Sequence, residues 1–303
     1  MSEEREERER DDDRDRREAG EGRKKDEERE ELFRRILVAL DASPHSLAAL
    51  QAAAELAARL DAELLGLYVE DIQLLRLSDF PLAREVNFYS SRPRPFDRQN
   101  VELQLRAQAR SARRAIERLA DRRHFRWSFR VVQGAVAHEV LSASEETDLV
   151  ILGKVGWSPG RRLGSTTRII IEKASRPAMI LEKGERMRLP VGVVYDGSAL
   201  AQRALGLAAN LMQETGSYLI AIILAGEVET ARSFQSDIAA WLQQHSLKAR
   251  FRWLIRPDLN GLKRVFQAEG CGILVIPGEA EFFPAGDLTG FLRETQCPVM
   301  LVR

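Results

Sequence analysis

The 303-residue chain predicts an α/β fold built twice in tandem, each unit a doubly wound, five-stranded parallel sheet flanked by helices. Three observations predict it. Short apolar runs of strand length alternate with amphipathic segments of helix length, the pattern of strands covered on both faces by crossover helices. The text around residues 36–69 returns 155 positions later without a gap, placing Asp41 on Asp196, Ser43 on Ser198, Leu50 on Leu205, Leu56 on Leu211 and Leu64 on Leu219. The later segments repeat too, at an offset near 126: "FRWSFRVVQG" from Phe125 and "FRWLIRPDLN" from Phe251, "DLVILG" and "GILVIPG", "RPAMILE" and "CPVMLVR". Ordered self-similarity of this length is an internal duplication.

Residues 1–31 carry 16 acidic and 10 basic side chains and almost nothing to bury. Such a segment is expected to be disordered or transiently helical, either a solubilising tail or a partner-binding one. Ile36–Leu40 is the first strand. Asp41 ends it, and Ser43 followed by Pro44 reads as an N-cap with proline at the first helical position. Leu47, Leu50, Ala54 and Leu56–Leu60 continue that helix, and Leu64–Val69 is the next strand of a right-handed βαβ unit. The change of offset from 155 to 126 places about 30 extra residues in the first unit, the insert 71–97. Its three prolines predict a packed excursion with an irregular tip, a candidate lid or contact surface. The arginine-rich helix that follows is expected to turn Leu103, Ala107, Ile116 and Leu119 to the sheet and its arginines to water. The units are expected to span 32–186 and 189–303.

Composition narrows the function classes. The 46 basic and 46 acidic residues argue against a protein built around nucleic acid. No apolar run reaches membrane length and the N-terminus has no apolar signal region, so a cytoplasmic protein without membrane contact is expected. Cys271 and Cys297 have neither disulfide-framework nor metal-site spacing and read as inert core-edge thiols. His45 reads as a surface residue of a first helical turn; His124, His138 and His245 form no metal pair.

In a doubly wound sheet, ligands bind beyond the carboxyl ends of the strands where the winding reverses. Asp41, Val69 with Glu70, and the loop "GKVGWSPGRRLGST" converge there. Gly153, Gly156 and Gly164 permit close backbone approach and positive φ, so that successive N–H groups can surround an anion. Ser165 and Thr166 open a helix whose N-terminus favours phosphate, and Lys154, Arg161 and Arg162 offer charge-assisted bonds. Glycine-rich strand-to-helix loops also occur without a ligand, and Asp41 is equally suited to capping the helix that follows.

"ILVALDAS", "DLVILGKVG…LGST" and the closing "RPAMIL" strand together resemble the universal stress protein (UspA) family, over almost everything from Phe33 to Arg303. The resemblance implies flavodoxin-like, Rossmann-like domains and, in one branch, ATP or AMP binding through a G-x2-G-x9-G-[S/T] motif. Its glycines match Gly153, Gly156 and Gly164, with Ser165 following. It places Asp41 near the adenosine and the backbone of Val69 or its neighbour at the adenine. Only seven residues separate Gly156 from Gly164, two fewer than in the motif. The second copy keeps Asp196-Gly197-Ser198, but its loop reads "PGEAEFFPAGDLTGF", with Glu279 and Glu281 where phosphates would lie and Phe282, Phe283 and Pro284 filling space. That copy is expected to be structural, pairing with the first as family dimers pair.

The reading is a stress-response regulator that binds ATP or AMP through Asp41, Val69, Gly153, Lys154, Gly156, Arg162, Gly164, Ser165 and Thr166. No magnesium ligand is evident. The alternative is a nucleotide-free scaffold acting through association; slow ATP hydrolysis stands behind both, because no Walker lysine is present. A protein partner would meet the tail or the insert, and the strand edges at "PAMIL" and "PVMLV" offer a route to a homodimer.

Overall fold

The structure is a computed structural model that describes residues 33–80, 82–86, 93–156, 163–212, 218–278 and 287–303. The charged tail, the tip of the insert and the centres of both glycine loops lie outside these residues.

The first half runs β1 (Arg35–Leu40), α1 (Pro44–Leu60), β2 (Glu63–Asp71), α2 (Ile72–Ser78), β3 (Arg84–Val86), β4 (Pro93–Pro95), α3 (Arg98–Arg123), β5 (Trp127–Gly134), α4 (Val136–Ser144), β6 (Leu149–Gly153), α5 (Ser165–Lys173) and β7 (Ala178–Leu181). The second runs β8 (Val191–Tyr195), α6 (Ala199–Asn210), β9 (Leu219–Ala225), α7 (Val228–Gln244), β10 (Ala249–Ile255), α8 (Leu259–Glu269), β11 (Ile273–Pro277), α9 (Asp287–Glu294) and β12 (Val299–Val302). Ten of the strands form one sheet in the order β10-β9-β8-β11-β12-β7-β6-β1-β2-β5. Numbered within its own half, each set of five has the order 3-2-1-4-5, with parallel neighbours throughout. β3 and β4 make a separate antiparallel pair within the insert.

The two halves meet where β7 and β12 pair antiparallel, Met179 opposite Met300. These are the edges on which homodimerisation was expected. They satisfy each other inside the chain, so neither remains to template a second copy. On one face of the sheet α1, α3, α6 and α7 cover a single apolar core that runs through Met179 and Met300 from one half into the other. The opposite face carries two further cores, one under α4 and α5 in the first half and one under α8 and α9 that also takes in Leu163, Ile171 and Ile180 of the first half.

Local chemistry explains the frame. Ser43 caps α1, its hydroxyl accepting from Ser46 N at 3.1 Å, with Pro44 at the first helical position. Ser198 caps α6 in the same way through Ala201 N. α3 departs from expectation. Val101, Leu105, Ala109, Ala112, Ile116 and Ala120 are buried, Leu119 is half-buried, and Leu103 and Ala107 face water. The buried positions recur every three to four residues, so Leu103 and Ala107 fall on the far side of the helix.

Candidate functional site

A cleft of about 280 Å³ opens beyond the carboxyl ends of β1 and β6, at the point where the winding of the first half reverses. Asp41, Val69, Gly153, Gly156, Gly164, Ser165 and Thr166 all line it. Seven of the nine site residues expected from sequence therefore converge.

Asp41 is not the helix cap, since Ser43 has that part. Its Oδ1 accepts from Ser43 N at 2.9 Å, and a Cβ on Gly156 would lie 2.9 Å from its Oδ2. Gly156 thus lets the loop after β6 close down on the carboxylate. Gly153 does the same for α1, because a Cβ there would meet the main-chain carbon of His45 at 2.9 Å. The expected positive φ is absent at these positions. Among the described glycines it occurs at Gly184, Gly197 and Gly270. Gly153 and Gly156 are needed for close approach, not for left-handed backbone.

Gly164 N donates to Lys154 O at 3.1 Å, and Thr167 Oγ1 donates to Gly153 O at 2.9 Å. These bonds hold the two ends of the loop together across the undescribed residues 157–162. Gly164 is the N-cap of α5 and supplies no capping side chain, and the first turn carries no acidic residue. The leading amides of α5 therefore face the cleft with the positive end of the helix dipole behind them.

Two expected contacts differ. Lys154 is buried and points away from the cleft, its ammonium donating to Thr295 O at 2.7 Å and lying 3.3 Å from Glu182 Oε2. Thr295 follows the last turn of α9, where backbone carbonyls gather negative potential, so the helix end of the other half outcompetes a solvent-facing pose. Arg162, with Arg161, lies outside the described residues. No Lys or Arg is among the described lining residues.

Other lining groups were not anticipated. Tyr68 is buried, donates to Gln108 Oε1 at 2.8 Å, and is held above its usual pKa by burial and by the Glu70 and Asp41 charges. Leu74 of α2 and Leu105 of α3 close one side, so the insert borders the cleft. Gln108 lies in phase with Val101, Leu105 and Ala112, and an amide on an otherwise apolar stripe is the signal that would have revealed it. His45 stays outside the lining, its Nδ1 accepting from Lys183 N at 3.1 Å.

Residues 32–182 match the family model described as "Universal stress protein family". The chain belongs to the universal stress protein family. A universal stress protein of Methanocaldococcus jannaschii is 23% identical over 161 residues, 52% of this chain and 86% of that one. The solved universal stress protein of Archaeoglobus fulgidus superimposes with a TM-score of 0.66 at 17% identity, covering 88% of this chain and 95% of the other. A structure from Pseudomonas aeruginosa described as a putative universal stress protein gives 0.55 at 12% identity, covering 90% and 94%.

The second half of this universal stress protein differs at the same place. Register makes Val191, Leu219 and Ile273 the counterparts of Ile36, Leu64 and Leu149. Pro277 then stands for Gly153, and Gly197 for Ala42. The Phe234 ring packs on the Asp196-Gly197-Ser198 turn, 2.3 Å from where a Gly197 Cβ would lie and edge-on to Tyr195. The buried stripes of α3 and α7 align Ala112 with Phe234, so a phenyl ring takes the place of a methyl group. The loop residues 279–286 lie outside the described residues, as does the side chain of Asp287.

Proposed function

We propose that residues 32–186 form a domain that binds an adenine nucleotide, ATP or AMP, and that occupancy regulates what the protein associates with in a stress response. Residues 189–303 form the degenerate copy that supports it. The observation that carries this reading is the cleft at the switch point, where the uncapped N-terminus of α5 faces Asp41 across Gly156. Phosphate oxygens accept from the amides of Ser165 and Thr166 and from the glycine loop. Arg162 is assigned the remaining charge. Asp41 accepts from the ribose hydroxyls, and the backbone at Val69 meets the base. The reading is of binding rather than turnover, because the glycine loop has no lysine in the Walker position.

The nucleotide-free scaffold is favoured by one observation, the commitment of Lys154 to Thr295 instead of the cleft. A Gly164→Asp substitution separates the readings. Aspartate is a strong N-cap, so α5 should gain stability, while its charge opposes a phosphate at the same amides. Calorimetric titration should show ATP affinity falling at least tenfold while the melting temperature holds or rises. If the unsubstituted protein releases no nucleotide on denaturation and gives no heat with millimolar ATP, the scaffold reading stands. If Gly164→Asp binds ATP as well as the parent, the phosphates lie elsewhere.

A further inference from the structure

The neutral chain is a sum of two opposed parts, because residues 1–31 carry a net −6 and the rest a net +6. α3 holds most of that excess, with eight arginines against Glu102, Glu117 and Asp121, a net of +5. Arg106, Arg110, Arg114, Arg118 and Arg122 follow one another at intervals of four residues and are all exposed. Like charges at this spacing are neighbours on a helix and repel. Arg106 is offset by Glu102, and Arg113 by Glu117. Arg110, Arg114, Arg118, Arg122 and Arg123 have no acidic partner among the described residues.

The ladder ends where the tail joins the body. β1, β2 and β5 are adjacent and parallel, Arg35 level with Glu63 and Leu64 with Trp127. Phe33 and Arg34 therefore lie about 10 Å, two strand spacings, from the chain leaving α3. The 26 residues of α3 extend about 39 Å from there, and a 31-residue segment reaches up to about 100 Å when extended.

We propose that residues 1–31 dock on this cationic face, their carboxylates pairing with the arginine ladder of α3. The occupant is the chain's own tail rather than an external polyanion for two reasons. Its net charge nearly cancels that of the helix, and its tether, starting beside the helix end, holds it at high effective concentration. The surface recognises charge distributed along a helix, so docking weakens with salt. The proposal does not rest on the nucleotide reading of the cleft.

The test uses the full chain with Ser2→Cys carrying a nitroxide; the native thiols Cys271 and Cys297 are buried, and burial pushes the Cys271 thiol up to about 12. At low salt the label should broaden the amide resonances of residues 106–123. The broadening should be lost at about 0.5 M salt, where screening is nearly complete beyond a few ångströms. It should also be lost in the triple variant Arg110→Glu, Arg114→Glu, Arg118→Glu, and kept when the same three become lysine. Melting temperatures of the variants verify that they fold. No broadening along α3 at low salt, or broadening that survives charge reversal, overturns the proposal. A heparin fragment that binds the ladder without displacing the label also overturns it, assigning the face to an external polyanion.

Discussion

Single residues in the cleft separate packing from binding. Gly153 and Gly164 look alike in a motif but differ in space. A methyl on Gly153 would press on the main chain of His45, whereas one on Gly164 would find its nearest neighbour, Thr167 Oγ1, 3.6 Å away. Gly153→Ala should therefore destabilise the protein by about 1–3 kcal/mol, the usual cost of overpacking against something that cannot move. Gly164→Ala should fall within about 0.5 kcal/mol, as surface changes do. Urea unfolding of both variants decides; equal effects would mean the loop is not packed as described. Glu185 supplies a pH dependence. Its carboxyl pKa is raised above the ordinary 4.5 chiefly by burial, against the bond from Glu182 N and the Lys154 charge, and its Oε1 is buried without a partner. A carboxyl raised on folding favours the protonated folded state. Its stabilising contribution is present below 4.5 and is lost as the pH climbs through the folded value. Glu185→Gln should therefore match the parent in acid and gain stability relative to it at neutral pH. A gain that appears only in acid would contradict the assignment.

At the scale of elements, Lys154 ties the loop after β6 to the end of α9. Register makes Gly278 the counterpart of Lys154 and Arg303 the counterpart of Glu182, and Arg303 in turn donates to Ile171 O in the last part of α5. Each half so places a cation on the carbonyls closing the last helix of the other, where the dipole favours it. Lys154→Met keeps the volume and removes the donor, leaving Thr295 O unpaired. It should cost about 1–3 kcal/mol, read as a lower denaturant midpoint at unchanged slope; no change would mean that water replaces the ammonium. This contact also marks the limit of what sequence reveals. Parallel strands buried on both faces are continuous apolar runs, so β1, β2 and β6 are legible from Ile36–Leu40, Leu64–Val69 and Leu149–Gly153. The glycine positions are legible because they fall between an apolar strand and the helix opened by Ser165. The direction of Lys154 is not, because its acceptor lies 141 residues away. The inward stripe of α3 is misread for a different reason: alanines surround that helix, so hydrophobicity barely distinguishes Ala107 from Ala109, and Gln108 hides among them. Phe234 is invisible as a plug until Gly197 is seen beneath it.

The whole molecule is held by one sheet. Each five-stranded half ends in its fifth strand, β7 or β12, and the pairing of these two joins within one chain edges that would otherwise be open. Val299 faces Ile180, Met300 faces Met179 and Leu301 faces Ala178, all buried, and the core under α1, α3, α6 and α7 continues across the seam. The residues joining β7 to β8 add smaller contacts than the seam itself, Met187 packing on the shared core and Lys183 N donating to His45 Nδ1. Gly184 has nothing within 4 Å of where a Cβ would stand and marks an exposed turn. The connection therefore sets stoichiometry and local concentration, while strand pairing and apolar burial set cohesion. A protease site inserted after Gly184 tests that division. Once it is cut, the two fragments should elute together and unfold in a single transition, since neither half can leave without exposing an apolar strand edge and half of a shared core. Met300→Asp, which puts a charge at the centre of the seam, should leave the uncut protein destabilised and let the cut fragments separate. Fragments of the parent protein that separate on cutting would show that the linker, not the sheet, holds the halves together.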